Sequence, residues 1–322
     1  MFSYDARREL GSFYVFFRDD RRHLRCHQLR TTLVTLAVRS ADGRRVAVQV
    51  SGSPAGHPVF LMHGTPGSRI APLPRPMVLH GLGVRLITFD RPGYGKSDRQ
   101  EFRQVAAVVD DVVAIADALG VEKFAVLGRS GGGPHALACA ALLPDRVTRA
   151  GILVSLAPRA DGFDWFAGMT ASNIQEFKDA VDRPEELASS LAETAAAIKA
   201  DPASHVLALG PELPEADRRV VADAGIRALL IENYEEALRT SADGWFDDDR
   251  AFCSPWGFNL TDIKVPVLVW QGEDDVFSPV RHAQWLADQI PNASMVIAPG
   301  TAHFGAIEAL PDIIAWLIRP PD

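Results

Sequence analysis

Three short runs, Val59-Phe60-Leu61-Met62, Phe124-Ala125-Val126-Leu127 and Val265 to Trp270, are almost unbroken strings of apolar residues. A strand with one wet face alternates apolar and polar side chains, so these runs read as strands covered on both faces. Such strands need a parallel sheet with helices packed above and below it. They are expected over 59–63, 124–128 and 265–271, and five more β-rich runs fit the same sheet: Val34–Arg39, Val46–Ser51, Arg85–Asp90, Ala150–Leu156 and Ser294–Ala298. Ser40-Ala41-Asp42-Gly43-Arg44 joins the first two as a hairpin turn, and Val46, Val48 and Val50 alternate as in a half-exposed strand.

Helical patterns fill the gaps. Between Phe102 and Leu119 apolar residues recur at helical spacing (105, 108, 109, 112, 113, 116 and 119), and Gly120 ends the run. Pro134–Leu143, Pro279–Ile290 and Asp312–Ile318 are three further helices. The fold class is therefore α/β: an eight-stranded, mostly parallel sheet with helices on both faces and right-handed connections. One stretch breaks the alternation. From 158 to 262 no strand is evident, only Ala/Glu/Leu-rich segments (Glu185–Ala200, Ala216–Thr240) split by Pro184, Pro202, Pro211 and Pro214. The expected organisation is an N-terminal extension (1–30), a core (31–157 and 263–322) and an inserted helical cap (158–262).

Composition narrows the function classes. With 322 residues, 47% of them apolar, the chain has enough apolar material for a sizeable core. Its 33 basic against 41 acidic residues give a net charge of −8, so no global positive field exists to neutralise phosphates and nucleic acid is not an expected partner. Cys26, Cys139 and Cys253 form no C-x-x-C pair, which argues against a disulfide framework or a zinc site and fits a reducing, cytoplasmic compartment. No apolar run approaches the ~18 residues of a membrane span, and Phe13–Phe17, hemmed in by charges, is too short for a signal-peptide core. Arg18–Arg30 carries five arginines and two histidines but is broken by Asp19 and Asp20, and is read as a solvated extension. The expected partner is a small-molecule substrate.

The chemistry begins at Gly128-Arg129-Ser130-Gly131-Gly132, a G-x-S-x-G motif directly after a buried strand and ahead of a helix. A sharp strand-to-helix turn holds such a serine in a strained conformation with its Oγ exposed, and the helix N-terminus favours negative charge beside it. His63-Gly64-Thr65-Pro66-Gly67 ends another buried strand. An oxyanion needs two backbone N–H donors, assigned to Thr65 and Gly131, since Pro66 has none. Gly272-Glu273-Asp274-Asp275 and Ala302-His303-Phe304-Gly305 follow the last two strands, at the C-terminal strand ends where active sites of open α/β sheets lie.

The order Ser130, acid, His303 on these strand ends resembles the α/β-hydrolase superfamily, from about residue 31 to the end, with a cap inserted after the sixth of eight strands. In similar members the acid stands three residues after the strand-terminal glycine, before a short apolar-Pro element. That resemblance prefers Asp275 to Asp274, with Gly272 before it and Pro279 after it. Asp90-Arg91-Pro92-Gly93-Tyr94-Gly95-Lys96-Ser97 is similar to a superfamily turn that shapes the active-site rim. The implied activity is cofactor-free serine hydrolysis of an ester or related acyl bond. Proline iminopeptidases look similar, though their loop reads HGGPG and their elbow G-G-S-W-G, where this chain has HGTPG and G-R-S-G-G. Epoxide hydrolases and haloalkane dehalogenases carry aspartate at the nucleophile position. Aminopeptidase or amidase cleavage, carbon–carbon bond hydrolysis or acyl transfer by the same triad, and a ligand-binding protein of the same fold, are the alternatives.

His63 and His135 are expected to pack structurally, and His23, His27, His57, His80, His205 and His282 to be solvated. No pair has metal-ligand spacing with a carboxylate, and neither a dinucleotide fingerprint nor a P-loop occurs, so neither metal nor cofactor is expected. Aromatics flank the cap at Phe163, Trp165, Phe166 and again at Trp245, Phe246, Phe252, Trp256 and Phe258. Those near Trp165 and Trp256, together with the net charge of −8, suggest a pocket that buries an apolar acyl or alcohol group and does not attract anions. Asp247-Asp248-Asp249 reads as a solvated turn.

Overall fold

Two strands that the sequence reading did not anticipate come first: β1 (Phe13–Phe17) pairs antiparallel with β2 (Arg25–Leu29) in a sheet of their own. The computed structural model describes residues 13–17, 25–29, 34–203 and 211–319. Most of the expected extension over 1–30 lies outside the described residues, as do His23, His205 and the side chains of Cys26 and His27.

The eight expected strands follow as β3 (Val34–Arg39), β4 (Arg45–Gly52), β5 (His57–Met62), β6 (Val84–Phe89), β7 (Phe124–Arg129), β8 (Val147–Leu153), β9 (Val267–Gly272) and β10 (Ala293–Ala298). They form one sheet in the order β10-β9-β8-β7-β5-β6-β4-β3. The six strands from β10 to β6 run parallel, and β4 and β3 are added antiparallel at one edge. β7 and β9 are buried along their whole length, as continuous apolar runs require.

Helices cover both faces. The short α1 (Pro76–Gly81), absent from the sequence reading, presents Leu79 to one face. α2 (Val108–Ala118) and α3 (Gly132–Leu142) bury their apolar residues on the other face, against β-strand side chains such as Phe60, Phe124 and Val126. Between β8 and β9 the chain leaves the sheet for α4 (Ala171–Asp182), α5 (Pro184–Ala200), α6 (Glu215–Ala222), α7 (Ala224–Ala237) and α8 (Asp243–Cys253). Of these, α4 and α8 had no counterpart in the sequence reading. The insertion has its own apolar cluster around Leu187, Leu191, Leu230 and Tyr234, closed by Tyr94 and Phe304 from the core. Returning to the sheet, α9 (Val280–Gln289) flanks β9 and β10. α10 (Ala306–Leu317) buries Leu310, Ile313, Ile314 and Leu317 over β7, β8 and β9 in the same apolar cluster as Leu79 of α1, at about 1.5–3 kcal/mol for each fully buried side chain.

His282, expected on a solvated helix surface, is instead fully buried in α9. Its Nδ1 accepts from the Ala157 N–H (3.0 Å) and its Nε2 donates to the Trp165 carbonyl (2.9 Å), pinning the first residues of the insertion to the core. Burial pulls its pKa down to about 4. A folded-state value below the ordinary ~6.5 favours the neutral ring, so the stabilisation it confers is complete above that pH and is lost as pH falls toward 4. For one proton the loss between about pH 7 and pH 5 is ~2 kcal/mol. In urea unfolding, the stability advantage of the parent over His282→Gln is expected to shrink by that amount across the interval. A difference that stays constant with pH overturns the assignment.

Candidate active site

The serine turn is built by close backbone approach. Ser130 has φ 54°, a left-handed conformation that a non-glycine residue adopts only when its surroundings enforce it. Its N–H donates to the Leu153 carbonyl of β8 (2.8 Å) and its carbonyl accepts from Gly133 (2.8 Å). A Cβ on Gly128 would stand 2.3 Å from the Gly132 carbonyl oxygen, and one on Gly132 would stand 2.2 Å from that of Met62. Both positions therefore exclude any side chain, and the elbow stays wedged between β7, α3 and the end of β5.

Gly64 and Thr65 lie against that elbow. A Cβ on Gly64 would be 3.4 Å from Ser130 Cβ, and one on Gly131 would be 2.2 Å from Thr65 Oγ1. The Thr65–Pro66 peptide bond is cis. His63, at the root of the loop, spends both ring nitrogens on backbone: Nδ1 donates to the Gly64 carbonyl (2.7 Å) and Nε2 accepts from the Arg91 N–H (3.1 Å). Burial and the nearby Arg91 guanidinium push its pKa well down, so the ring is a neutral brace. His135, also buried, donates through Nδ1 to the Val105 carbonyl (3.2 Å).

Asp275 and His303 meet at the other side of the cavity. Asp275 Oδ2 is 2.9 Å from His303 Nδ1, while Oδ1 accepts from the backbone N–H groups of Phe277 (2.8 Å) and Ser278 (3.0 Å). Gln271 Nε2 (3.0 Å) and Ser278 Oγ (3.1 Å) also donate to Oδ2. Asp274, in contrast, is exposed. Ser130, Thr65, Gly131 and His303 all line one cavity of about 450 Å³, well within the range of small-molecule sites.

Two residues of the insertion that the sequence reading passed over hold these groups. Asp217, buried in α6, accepts from the backbone N–H groups of His303 (3.1 Å) and Phe304 (2.7 Å), and burial pushes its carboxyl up. The second is Asp248. Asp247-Asp248-Asp249, expected as a solvated turn, forms the inner face of α8, and all three are buried. Asp248 Oδ2 accepts from Thr65 Oγ1 (2.7 Å), Arg91 Nη2 (2.5 Å) and Tyr94 OH (2.8 Å), and Arg103 Nη2 lies 2.7 Å from Oδ1. Burial opposes this charge, but Arg103 and Arg91 outweigh it and hold the carboxyl well below the usual range. A spacing signal exists for Asp249: Trp245, Asp249 and Phe252 stand at i, i+4 and i+7 and all line the cavity, so one charged residue occupies an aromatic helix face.

Asp248→Asn leaves two buried guanidinium groups without their shared counter-charge. Removing one partner of a buried ion network costs about 3–5 kcal/mol, and urea unfolding is expected to show a loss of that size. A loss below about 1 kcal/mol would be that of a surface pair and would overturn the central role of Asp248.

Of the aromatics expected to flank the pocket, Trp245 and Phe252 line the cavity and the two tryptophans singled out do not. Trp165 and Trp256 pack into the main core, and it is Trp245, Phe252, Phe277 and Phe304 that face the cavity, with Phe177, Leu187 and Leu191 beside them. Polar groups share the wall, among them Arg129, Glu176, Asn173 and Asp249.

A family profile described as alpha/beta hydrolase fold matches residues 57–310. A putative carbamate hydrolase RutD from Caulobacter sp. (strain K31) is 29% identical over 265 residues, which is 79% of this chain and 87% of that protein. A proline iminopeptidase from Neisseria meningitidis serogroup B (strain ATCC BAA-335 / MC58) is 26% identical over 83% of this chain and 92% of its own length. Among solved structures, the esterase RhEst1 from Rhodococcus sp. ECU1013 superposes with a TM-score of 0.63 at 22% identity, over 88% of this chain and 98% of that one. That last likeness is one of fold.

Proposed function

The chain belongs to the α/β-hydrolase fold family, and from that premise we propose that it is a serine hydrolase cleaving an ester or related acyl bond of a small substrate through an acyl-enzyme. The observation that carries this reading is the Asp275–His303 hydrogen bond of 2.9 Å on the cavity that Ser130 also lines. Asp275 accepts from Nδ1–H, which leaves the lone pair of His303 on Nε2. That nitrogen takes the proton from Ser130 Oγ as the oxygen attacks the acyl carbonyl. The N–H groups of Thr65 and Gly131 hold the oxyanion. Collapse expels the alcohol, which receives the proton from His303, and water repeats the sequence to release the acid.

The helical insertion serves as the cap, and the apolar part of the substrate rests on Phe177, Leu191, Phe252 and Phe277. No step in this scheme calls on a cofactor. No described helix is long and apolar enough to cross a membrane, and a cytoplasmic location belongs to the same reading.

A fluorophosphonate probe tests it, because only an activated serine labels covalently. Stoichiometric labelling mapped to Ser130, with turnover in a screen of aryl esters, lactones and aminoacyl amides, is expected. An unlabelled protein that turns over none of them would be a ligand-binding member of the fold.

A further inference from the structure

Arg129 occupies the variable position just ahead of Ser130, and its side chain forms part of the cavity wall. Four arginines are buried among the described residues. Three are paired: Arg69 with Asp90 and Glu236, and Arg91 and Arg103 with Asp248. Arg129 is 7% exposed, yet among the described residues its guanidinium has no carboxylate within 4.0 Å and donates no hydrogen bond. Burial pulls its proton affinity down, opposed by Tyr234, but a guanidinium in a protein stays charged. Its N–H donors open onto the cavity with no protein acceptor among the described residues, so a carboxylate there would supply the counter-charge that the protein does not.

The acids of the same cavity are already engaged. Asp179 accepts from Gln175 Nε2 (2.9 Å) and Arg183 Nη2 (2.5 Å). Glu176 accepts from Trp245 Nε1 (2.9 Å) and is bound to Asp249. Burial, with Glu176 and Asp248 nearby, pushes the Asp249 carboxyl well up. Arg129 is also close to the reacting atoms: a methyl group on Gly64 would stand 3.4 Å from Ser130 Cβ and 3.7 Å from Arg129 Nη2.

We propose that Arg129 is a carboxylate-binding subsite, so that the substrate of the Ser130 site carries a carboxylate within a few bonds of its scissile acyl carbonyl. The proposal rests on the serine-hydrolase reading above. It reverses the expectation that the site does not attract anions. Surface charges behind the −8 net charge are screened beyond about 10 Å of salt solution, whereas an unpaired guanidinium in the cavity acts at contact, through a forked pair of charge-assisted hydrogen bonds.

The test compares isosteric esters that differ only in one charge. On the acyl side these are phenyl hydrogen glutarate and phenyl 4-carbamoylbutanoate; on the alcohol side, 4-carboxyphenyl and 4-carbamoylphenyl butyrate. In one arm the carboxylate ester is expected to have a kcat/KM at least about tenfold above its amide isostere, and that arm tells which side of the acyl bond faces Arg129. Arg129→Gln removes the preference and Arg129→Lys retains part of it. Should Arg129→Gln fail to fold, protection of parent Ser130 from the fluorophosphonate by glutarate, and not by glutaramide, carries the test. Neutral esters turned over with no preference in either arm, or a preference that survives Arg129→Gln, overturns the subsite while leaving the hydrolase standing. A protein that neither labels nor turns over any ester overturns the hydrolase reading and the subsite with it.

Discussion

Ser130→Ala is expected to lower kcat by about 10⁴- to 10⁶-fold on any ester that the parent hydrolyses well, with the fold unchanged. The loss is large because the proposed nucleophile and base act as one unit. Without Oγ there is nothing for His303 Nε2 to deprotonate; without the imidazole, Oγ remains a weakly nucleophilic alcohol. His303→Ala should therefore cost about as much, and the double variant little more than either single one. What survives in all three is the stabilisation by Thr65 and Gly131 and by substrate binding. Replacing Ser130 also relieves nothing in the backbone, because φ 54° is imposed by the bonds to Leu153 and Gly133 and alanine inherits it. Matching unfolding curves for parent and variant, with turnover gone, is the combined readout. Near-parental kcat in either single variant would remove that residue from the chemistry, and losses that multiply in the double variant would mean two independent roles.

The parts of this molecule legible in its sequence are those whose cause is local. β7 and β9 announce themselves because both faces are buried and every side chain is constrained to be apolar or small. The boundaries of β8 were less clear: it begins at Val147, and Thr148 and Arg149, half-buried at the sheet end, blur the apolar run. The elbow was readable because Gly128 and Gly132 are dictated by backbone atoms a few residues away or one strand over. α4 was not, since it offers few apolar residues beyond Ile174, Phe177 and Ala180, and its start is set by a single Thr170 cap bond to the Asn173 N–H.

Asp248 marks the boundary of what local pattern carries. Three consecutive aspartates have the composition of a solvated turn, and the helical spacing of Trp245, Asp249 and Phe252 speaks for Asp249 alone, not for Asp248. What fixes their position is a set of partners 157 residues away at Arg91 and 183 away at Thr65. The same holds for Asp217, which reaches 86 residues forward to the His303 backbone. Both residues come from the insertion and both hold loops of the core. The insertion is thus joined to the proposed chemistry from two sides, at the loop carrying Thr65 and at the loop carrying His303, and its packing cannot change without disturbing one or the other.

The two adjacent acids should separate sharply: Asp275→Asn is expected to lower kcat by on the order of 10³- to 10⁴-fold, and Asp274→Asn by less than about threefold. The size of the first effect follows from how the amide must sit. Oδ1 of Asp275 accepts two backbone N–H groups, from Phe277 and Ser278, which no amide NH₂ replaces without donor facing donor. The amide oxygen therefore takes that position, and the NH₂ turns to where Oδ2 meets His303 Nδ1. There it donates to Nδ1, forcing the ring proton onto Nε2, the nitrogen that has to accept from Ser130. Gln271 offers no way out, because its Nε2 also donates to the Gly272 (3.2 Å) and Ser278 (2.9 Å) carbonyls and loses both by flipping. Asp274 has no such neighbours; its side chain is exposed and the position is held through its backbone N–H on the Thr301 carbonyl (2.9 Å), which asparagine keeps. The measurement is kcat for both variants on one ester, with the parent as reference. A reversed ranking would move the acid to Asp274. Two small losses would mean that His303 needs no carboxylate to hold its tautomer, and the hydrogen bond to Asp275 would then be a structural one.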